Sequence, residues 1–364
     1  MPRETRSASS DGRASVTVRD VAAQAGVSTA TVSRVLNGVV SVEPTLVDRV
    51  LEACAELHYQ PNRAARTLRG GRSMMVGLLV PHIRTSFFTD VVSGVEAVLR
   101  FGGYLPILCN YRDKPQGPLQ YIKFIENLVA VPLAGAIVVP RHDQDPALTL
   151  FRERRIPVVA IDHRTPDDSV LIDNVGAARE AVAHLIANGY RRIGLISGPN
   201  TLTTGSGRAQ GYRAALEEAG VGYEPRFERH GKFDEQAGDA QASELLDLQP
   251  PVEAMFTTNV SLTIGALRAL HKRGLRVPQD VALVGFDEIP SVLPGYPSIT
   301  TIVQPALEMG ATAARRLIQR LEGDGPHSRQ EIVLAHELRI GDSSRARASV
   351  VSGPATGGAE RPMP

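Results

Sequence analysis

Residues 16–38 read VTVRDVAAQAGVSTATVSRVLNG, and this spacing predicts two short helices joined by a tight turn. Thr17 and Asp20 stand three apart, the pattern of a capping box at the start of a helix. Val21, Ala22 and Ala25 follow at helical spacing, and Gly26 supplies the residue type on which helices most often end. Ser28 suits the N-cap of a second helix, from Thr29 to about Leu36, with Val32, Val35 and Leu36 on one face. Asn37-Gly38 stops it. A helix pair joined by a glycine-containing turn is a helix-turn-helix. A third helix is expected after Glu43-Pro44, with Leu46, Val47, Val50, Leu51 and Leu57 turned inward, and Pro61 ends that segment.

The outer face of the second helix carries Thr29, Ala30, Ser33, Arg34 and Asn37. Small residues at its start allow close entry into a major groove, and the Arg34 fork matches the O6 and N7 acceptors of guanine. Ser28 and Thr31 suit phosphate oxygens, as do the free amides of the first turn, and Thr17 joins this candidate DNA-binding set. A helical hairpin with no nucleic-acid role fits the same pattern. Charge adds to the case. Residues 1–72 hold ten arginines against seven acidic residues, whereas the chain as a whole is close to neutral at +1. Arg63, Arg66, Arg69 and Arg72 fall in a stretch without an acid, which points to a polyanion contact confined to one end of the chain.

Outward from the head the pattern changes. Short apolar runs (MMVGLLV, YLPILCN, GAIVVP, PVVAID, RIGLISG, AMFTTN and VALVGFD) alternate with helical stretches such as Phe87–Phe101, Val175–Asn188, Ala209–Ala219, Leu262–Arg273 and Ala306–Leu321. Such alternation predicts parallel sheets covered by helices. The length of this region favours two doubly wound α/β lobes flanking a cleft over one sheet. The expected organisation is a disordered arm at 1–15, a helical DNA-binding domain at 16–60, a hinge and linker at 61–73, a two-lobed core at 74–341 and a disordered tail at 342–364.

The 364 residues are 43% hydrophobic and 22% charged, as in ordinary globular proteins. No apolar run approaches the roughly 18 residues of a membrane span, and residues 1–13 lack the apolar segment of a secretory signal. Cys54 and Cys109 stand far apart and form neither a disulfide framework nor a zinc set, so a reducing cytoplasm is expected and no metal. The signatures H-E-x-x-H, G-x-S-x-G and G-x-x-x-x-G-K-[ST] are absent, and the glycine-rich GPNTLTTGSGR has no lysine to serve a phosphate. The reading is therefore not an enzyme, and no cofactor is expected.

DVAAQAGVSTATVSRVLNG, followed by YQPNRAARTLRGGRS, resembles the lactose-repressor (LacI/GalR) family of bacterial transcription regulators, and the resemblance runs from Val16 to about Ile340. It implies base reading by Thr29, Ala30 and Arg34. It implies a hinge helix at Asn62–Arg69, which folds in pairs on operator DNA. There Leu68 wedges into the minor groove while Arg63 and Arg66 contact backbone, a division of labour that bends DNA. The partners implied are double-stranded operator DNA, a second copy of the chain and a small-molecule effector. The location implied is the bacterial cytoplasm, nucleoid-associated when DNA is bound.

The resemblance further implies a periplasmic-binding-protein-like core, with the effector beyond the carboxyl ends of the strands. Asp162 with His163 and Arg164, then Asp173 with Asn174, Asn259 and Asp287 stand at predicted strand ends. Arg208, in R-x-x-G-Y, matches the family's effector-binding arginine, Asp287 the aspartate of V-G-F-D and Asn259 the asparagine after F-T-T. Phe88 is placed to cover a ring. Carboxylates beside an arginine and an amide suit a sugar, and equally a nucleoside or nucleobase. Asp162, Asp173 and Asp287 could instead cap helices, and Arg208 could be an interlobe ion pair. Three departures bear on the effector: Thr85-Ser86 replaces the usual Asn-Pro, Val260 replaces the Asp after Asn259, and Gly189-Tyr190 replaces Gly-His.

Overall fold

The computed structural model describes residues 16–36, 42–57, 59, 73–111, 117–289 and 297–345. They divide into two units, one up to Arg72 and one from Ser73 onward. The expectations for Asn37, Asn62, Arg63, Arg66 and Leu68, and for the arm at 1–15, lie outside the described residues.

The first unit holds α1 (Val18–Ala25), α2 (Thr29–Leu36) and α3 (Pro44–Glu56). Asp20 Oδ2 accepts from both the backbone N–H and the hydroxyl of Thr17 at 2.7 Å, which fixes the start of α1. Gly26 ends that helix at φ 62°, a conformation open to glycine at little steric cost. Ser28 Oγ accepts from the Thr31 amide at 3.1 Å and so caps α2. Pro44 opens α3 where its missing N–H costs nothing. Val21, Ala22, Ala25, Val32, Val50 and Ala53 form a small core, and Arg49 donates to the Ala25 carbonyl at 2.6 Å, tying α3 to the turn. Leu51 does not turn inward as the sequence suggested: it is 53% exposed, and the small Ala53 takes the inner position.

In the second unit the strands run β1 (Met75–Val80), β2 (Leu105–Asn110), β3 (Gly135–Val138), β4 (Val158–Ile161) and β5 (Asp168–Ile172). Then come β6 (Ile193–Ser197), β7 (Glu228–His230), β8 (Ala254–Thr257), β9 (Ala282–Phe286), β10 (Thr300–Val303), β11 (Glu331–Leu334) and β12 (Glu337–Arg339). One sheet has the order β11-β5-β4-β3-β1-β2 and is parallel throughout. The other has the order β12-β10-β9-β8-β6-β7 and is parallel except for β12. The two orders correspond strand for strand, so the unit is two doubly wound α/β lobes of one topology. The central strands β3, β4, β6, β8 and β9 are buried along their whole length, as parallel strands covered on both faces must be.

Between the strands lie α4 (Ser86–Phe101), α5 (Pro118–Val129), α6 (Pro146–Glu153), α7 (Asn174–Ala187), α8 (Thr203–Glu218), α9 (Glu235–Leu246), α10 (Val260–Lys272) and α11 (Ala306–Glu322). Two of them cross between lobes. After β5 of the first sheet, α7 packs on α8 and the second sheet; after β10 of the second, α11 packs on α4 and the first. The crossing pairs are tight because they meet at glycines. A Cβ on Gly94 would fall 2.0 Å from the Leu307 carbonyl, and one on Gly310 would fall 2.1 Å from that of Val91. At the end of α11, Arg316 and Arg320 both donate to the buried carboxylate of Asp168, at 2.9 and 2.8 Å, and pin the crossover to the first lobe.

Two boundaries differ from expectation. Helix α8 begins at Thr203, so Arg208 lies in its second turn rather than at its start. The segment Asp342–Ser344 is not a tail: it forms a 3-10 turn whose buried Ser343 donates to the Leu283 carbonyl at 2.6 Å, so the ordered core runs on to Arg345. Among the described residues no helix is long and apolar enough to cross a membrane.

Candidate functional site

In the head, Thr29, Ala30, Ser33 and Arg34 lie exposed on one side of α2, opposite the buried Val32. The hydroxyls of Thr17 and Ser28 are engaged by their own helices, Ser28 Oγ also meeting Thr31 Oγ1 at 2.9 Å. Their first role is thus to set the helix starts. The exposed face of α2 combines small side chains at its N-terminus with a long cation one turn on, which is the chemistry of a groove reader.

The second unit holds a cavity of about 440 Å³ between its lobes, within the usual range of about 300–1,000 Å³ for ligand pockets. It is built from strand ends. Asp162 follows β4 and Asp287 follows β9, at corresponding places in the two sheets. Each is a non-glycine residue in the left-handed region, with φ 64° and 72°. Each amide donates to the neighbouring strand, Asp162 to the Val170 carbonyl at 2.9 Å and Asp287 to that of Ile302 at 2.8 Å. Such backbone costs of order 1 kcal/mol or more and concentrates at functional sites. Here it turns two carboxylates toward one space. Asp162 caps no helix, whereas the Asp287 carboxylate also receives the backbone N–H of Val260, the first residue of α10.

Arg208 joins them from α8. Its Nε donates to Asn174 Oδ1 at 2.8 Å and its Nη1 to the Thr258 carbonyl at 2.6 Å, while the guanidinium lies 3.7 Å over the Phe286 ring. Its Nη2 is 3.9 Å from Asp162 Oδ1, close enough for attraction and too far for a hydrogen bond. Arg208 is thus both the interlobe ion pair and a lining residue of the cleft. Burial pushes the carboxyls of Asp162 and Asp287 up, with Arg208 pulling both back, and burial lowers Arg208 itself. Arg208 Nη2, Asp162 Oδ1 and Gln304 Oε1 are buried and make no hydrogen bond among the described residues. Native interiors rarely leave such groups unmet, and each costs about 1–3 kcal/mol until a partner arrives.

Of the residues expected in the cleft, Phe88, Asp162, Arg208, Asn259 and Asp287 line it. Phe88 stands edge-on to His82, with ring centres 5.0 Å apart. Asn259 spends its carbonyl as the N-cap of α10, accepting from Ser261 and Leu262, so only its amide nitrogen is left for a ligand. Asp173 is the exception. It caps α7 by accepting from the Gly176 amide at 2.9 Å and is not among the lining residues. The sequence reading missed Gln304, Arg141, Tyr121 and Phe233, and it noted His163 only as the neighbour of Asp162. Gln304 follows β10, whose threonine-rich TTIV gives no apolar run. Identifying that strand would have pointed to the residue at its end.

Comparison with known proteins agrees with both units. Residues 17–62 match the family described as bacterial regulatory proteins, lacI family, and residues 182–344 match the periplasmic binding protein-like domain. The chain is 36% identical over 318 residues to the HTH-type transcriptional regulator CelR of Thermobifida fusca, covering 85% of this chain and 92% of CelR. Its structure is similar to that of the CelR–cellobiose complex (34% identity, 90% and 99% of the two chains, TM-score 0.69). It is also similar to the lac repressor dimer bound to operator and the anti-inducer ONPF (29% identity, 91% and 100% of the two chains, TM-score 0.80).

Proposed function

The chain belongs to the LacI family of bacterial regulatory proteins and is a DNA-binding transcriptional regulator rather than an enzyme, and from that premise we propose that a sugar bound between the lobes of its core controls its hold on operator DNA. The observation that carries the proposal is the set of unmet polar atoms in the cleft: a guanidinium donor at Arg208, acceptors at Asp162 and Gln304, and the hydroxyl of Thr85. A sugar hydroxyl both donates and accepts, so one placed in the 3.9 Å gap between Arg208 and Asp162 satisfies both. Cellobiose is bound by the related CelR, and a two-ring sugar suits a cavity of about 440 Å³. A nucleobase is the poorer fit. The face of Phe286 is covered by Arg208, and Phe88 meets both His82 and Phe87 edge-on, so neither phenylalanine is set up to stack on a flat base.

On the DNA side, Thr29, Ala30, Ser33 and Arg34 read base edges while Ser28, Thr31 and Thr17 face phosphates, and Asn37 belongs to the same DNA-binding set. Asn62, Arg63, Arg66 and Leu68 form a hinge that grips the minor groove. The protein works as a dimer on a pseudo-palindromic operator. Edge strand β2 supports a face for the second copy: Leu105 and Leu108 are exposed on it, and Phe101 just before it is 98% exposed, an apolar group that water disfavours. Repression is the proposed output. The sugar acts by preferring one angle between the lobes, and its leverage is limited to its differential affinity for the two states, typically about 1–3 kcal/mol.

The test is a fluorescence-anisotropy titration against the palindromic segment upstream of the protein's own gene, in moderate salt, with cellobiose, ribose and a nucleoside each present in turn. Tight binding shifted by a sugar is expected. A shift by the nucleoside alone would replace the sugar reading, and no operator binding would remove the repressor mechanism.

A further inference from the structure

Beside the orphaned polar atoms lies a hydrogen-bond chain that spans the two lobes. His163 directly follows Asp162 at the end of β4, lines the cleft and is 4% exposed. Its Nδ1 is 2.9 Å from Oδ1 of Asp143, in the loop between β3 and α6 of the same lobe. The other oxygen of Asp143 accepts the hydroxyl of Thr203, the first residue of α8 in the second lobe. We propose that His163 is a specificity-determining ligand contact, and that Asp143 and Thr203 are its positioning residues, coupling the ligand's hydroxyl pattern to closure of the cleft. This rests on the sugar reading of the same cleft.

The inventory of protons fixes the tautomer of His163. An ionised carboxylate can only accept. Although partial burial acts the other way, the hydrogen bonds from His163 and Thr203 hold Asp143 below the usual carboxylate range, so it stays ionised near neutral pH. With two donors to accept from, Asp143 requires the proton of His163 on Nδ1. In a neutral imidazole that makes Nε2 an acceptor. Among the described residues nothing donates to Nε2, and the ring borders the cavity. His163 Nε2 thus joins Asp162 Oδ1 and Gln304 Oε1 as an acceptor facing the cleft, opposite the donors of Arg208, the Thr85 hydroxyl and the Asn259 amide. A ligand must therefore bring several O–H donors, and one whose hydroxyl at this point is removed or methylated loses its contact.

The chain also explains how occupancy is sensed. Asp143 and His163 belong to one lobe and Thr203 to the other, so opening the cleft separates Thr203 from Asp143 while the imidazole remains. Thr203 does not line the cavity. Removing its hydroxyl should weaken ligand binding only by loosening closure.

The tautomer is tested first, on the full-length ligand-free protein with nitrogen-15 histidine, the His163 signal being assigned through the His163→Gln variant. A proton on Nδ1 is expected, and a proton on Nε2 overturns the proposal without any ligand. Calorimetry with cellobiose and with ribose follows. His163→Leu should lose about tenfold or more in affinity for whichever sugar binds, His163→Gln, which can present an oxygen, should recover most of it, and Thr203→Val should lose several-fold. Unchanged affinity in His163→Leu overturns the contact, and unchanged affinity in Thr203→Val overturns the coupling. If neither sugar bound the unmodified protein, the sugar reading would fall and the contact with it, a failure distinct from a wrong tautomer.

Discussion

Nε2 of Gln304 donates to Oδ1 of Asp287 at 2.6 Å, and both side chains are more than nine-tenths buried. Since a carboxylate only accepts, this bond fixes which way the amide points and leaves Oε1 of Gln304 turned away from Asp287 without a donor. Gln304→Leu should therefore weaken sugar binding about tenfold or more, because it removes an acceptor and strips Asp287 of its side-chain donor. Gln304→Glu should lower the melting temperature of the ligand-free protein. That loss should be larger at pH 7 than at pH 5, since protonating either of two adjacent carboxyls relieves their repulsion. Calorimetry and thermal unfolding check the two parts. Equal loss at both pH values would mean that the contact is one of shape alone.

Arg208 is the second test. Three of its bonds and contacts are made inside the protein, to Asn174, Thr258 and Phe286, and it faces two buried carboxylates. Arg208→Leu should destabilise the core by about 3–5 kcal/mol, as breaking buried ion pairs does, and abolish the sugar response. Arg208→Lys should keep part of the stability but not the response, since an ammonium cannot reproduce the planar fork. Urea unfolding and the anisotropy titration separate these outcomes.

How far the sequence foretold this molecule depended on burial. The strands legible as apolar runs, such as β3 and β9, are buried on both faces and must be apolar throughout. Strand β5 opens on an aspartate that two arginines neutralise, β7 is the polar triplet ERH, and β11 and β12 lie at sheet edges with alternating exposure. None of these carries a period that hydropathy can find. The cleft shows the same division. Asp162, Asp287 and Arg208 follow recognisable strands or motifs. Gln304 follows an unrecognised strand, and the role of His163 depends on Asp143 and Thr203, each tens of residues away in the chain. Asp173 looked equally suited to a ligand and serves instead as a helix cap, because a capping side chain and a binding side chain look alike in sequence.

In the head, Arg34 and Ser28 should separate reading from folding. Arg34 is exposed on α2, so Arg34→Ala should leave stability almost unchanged and weaken operator binding by about 1–3 kcal/mol, with relaxed preference at one base position. Ser28 caps the same helix, so Ser28→Ala should cost about 1 kcal/mol of head stability and weaken all sequences more evenly. Binding-site selection with each variant distinguishes them. If Arg34→Ala weakened every sequence equally, Arg34 would be a phosphate contact rather than a base reader.

The acid stability of the second lobe depends on one carboxylate. Glu228, at the edge strand β7, accepts from Arg213 at 2.9 Å, Tyr223 at 3.0 Å and His230 at 2.5 Å. Burial pushes its carboxyl up, yet the bonds from His230, Arg213 and Tyr223 prevail and hold it at about 2. A carboxyl whose folded value lies below its unfolded value stabilises the protein above the unfolded value, near 4.5, and loses that contribution as pH falls toward 2. His230 works in the opposite sense. Its bond to Glu228 raises it above 6.5, so its share is full below 6.5 and fades as pH climbs through the folded value. Together they place the greatest benefit of this cluster between about pH 4.5 and 6.5. Glu228→Gln should be less stable than the unmodified protein by about 2–3 kcal/mol at pH 5–6, somewhat less at pH 8, and nearly equal to it close to pH 2. Denaturant unfolding of the core at several pH values measures the gap directly. A gap that stayed constant from pH 6 to pH 3 would show that Glu228 contributes by packing and neutral hydrogen bonds, and that its charge is not what holds β7 to the sheet.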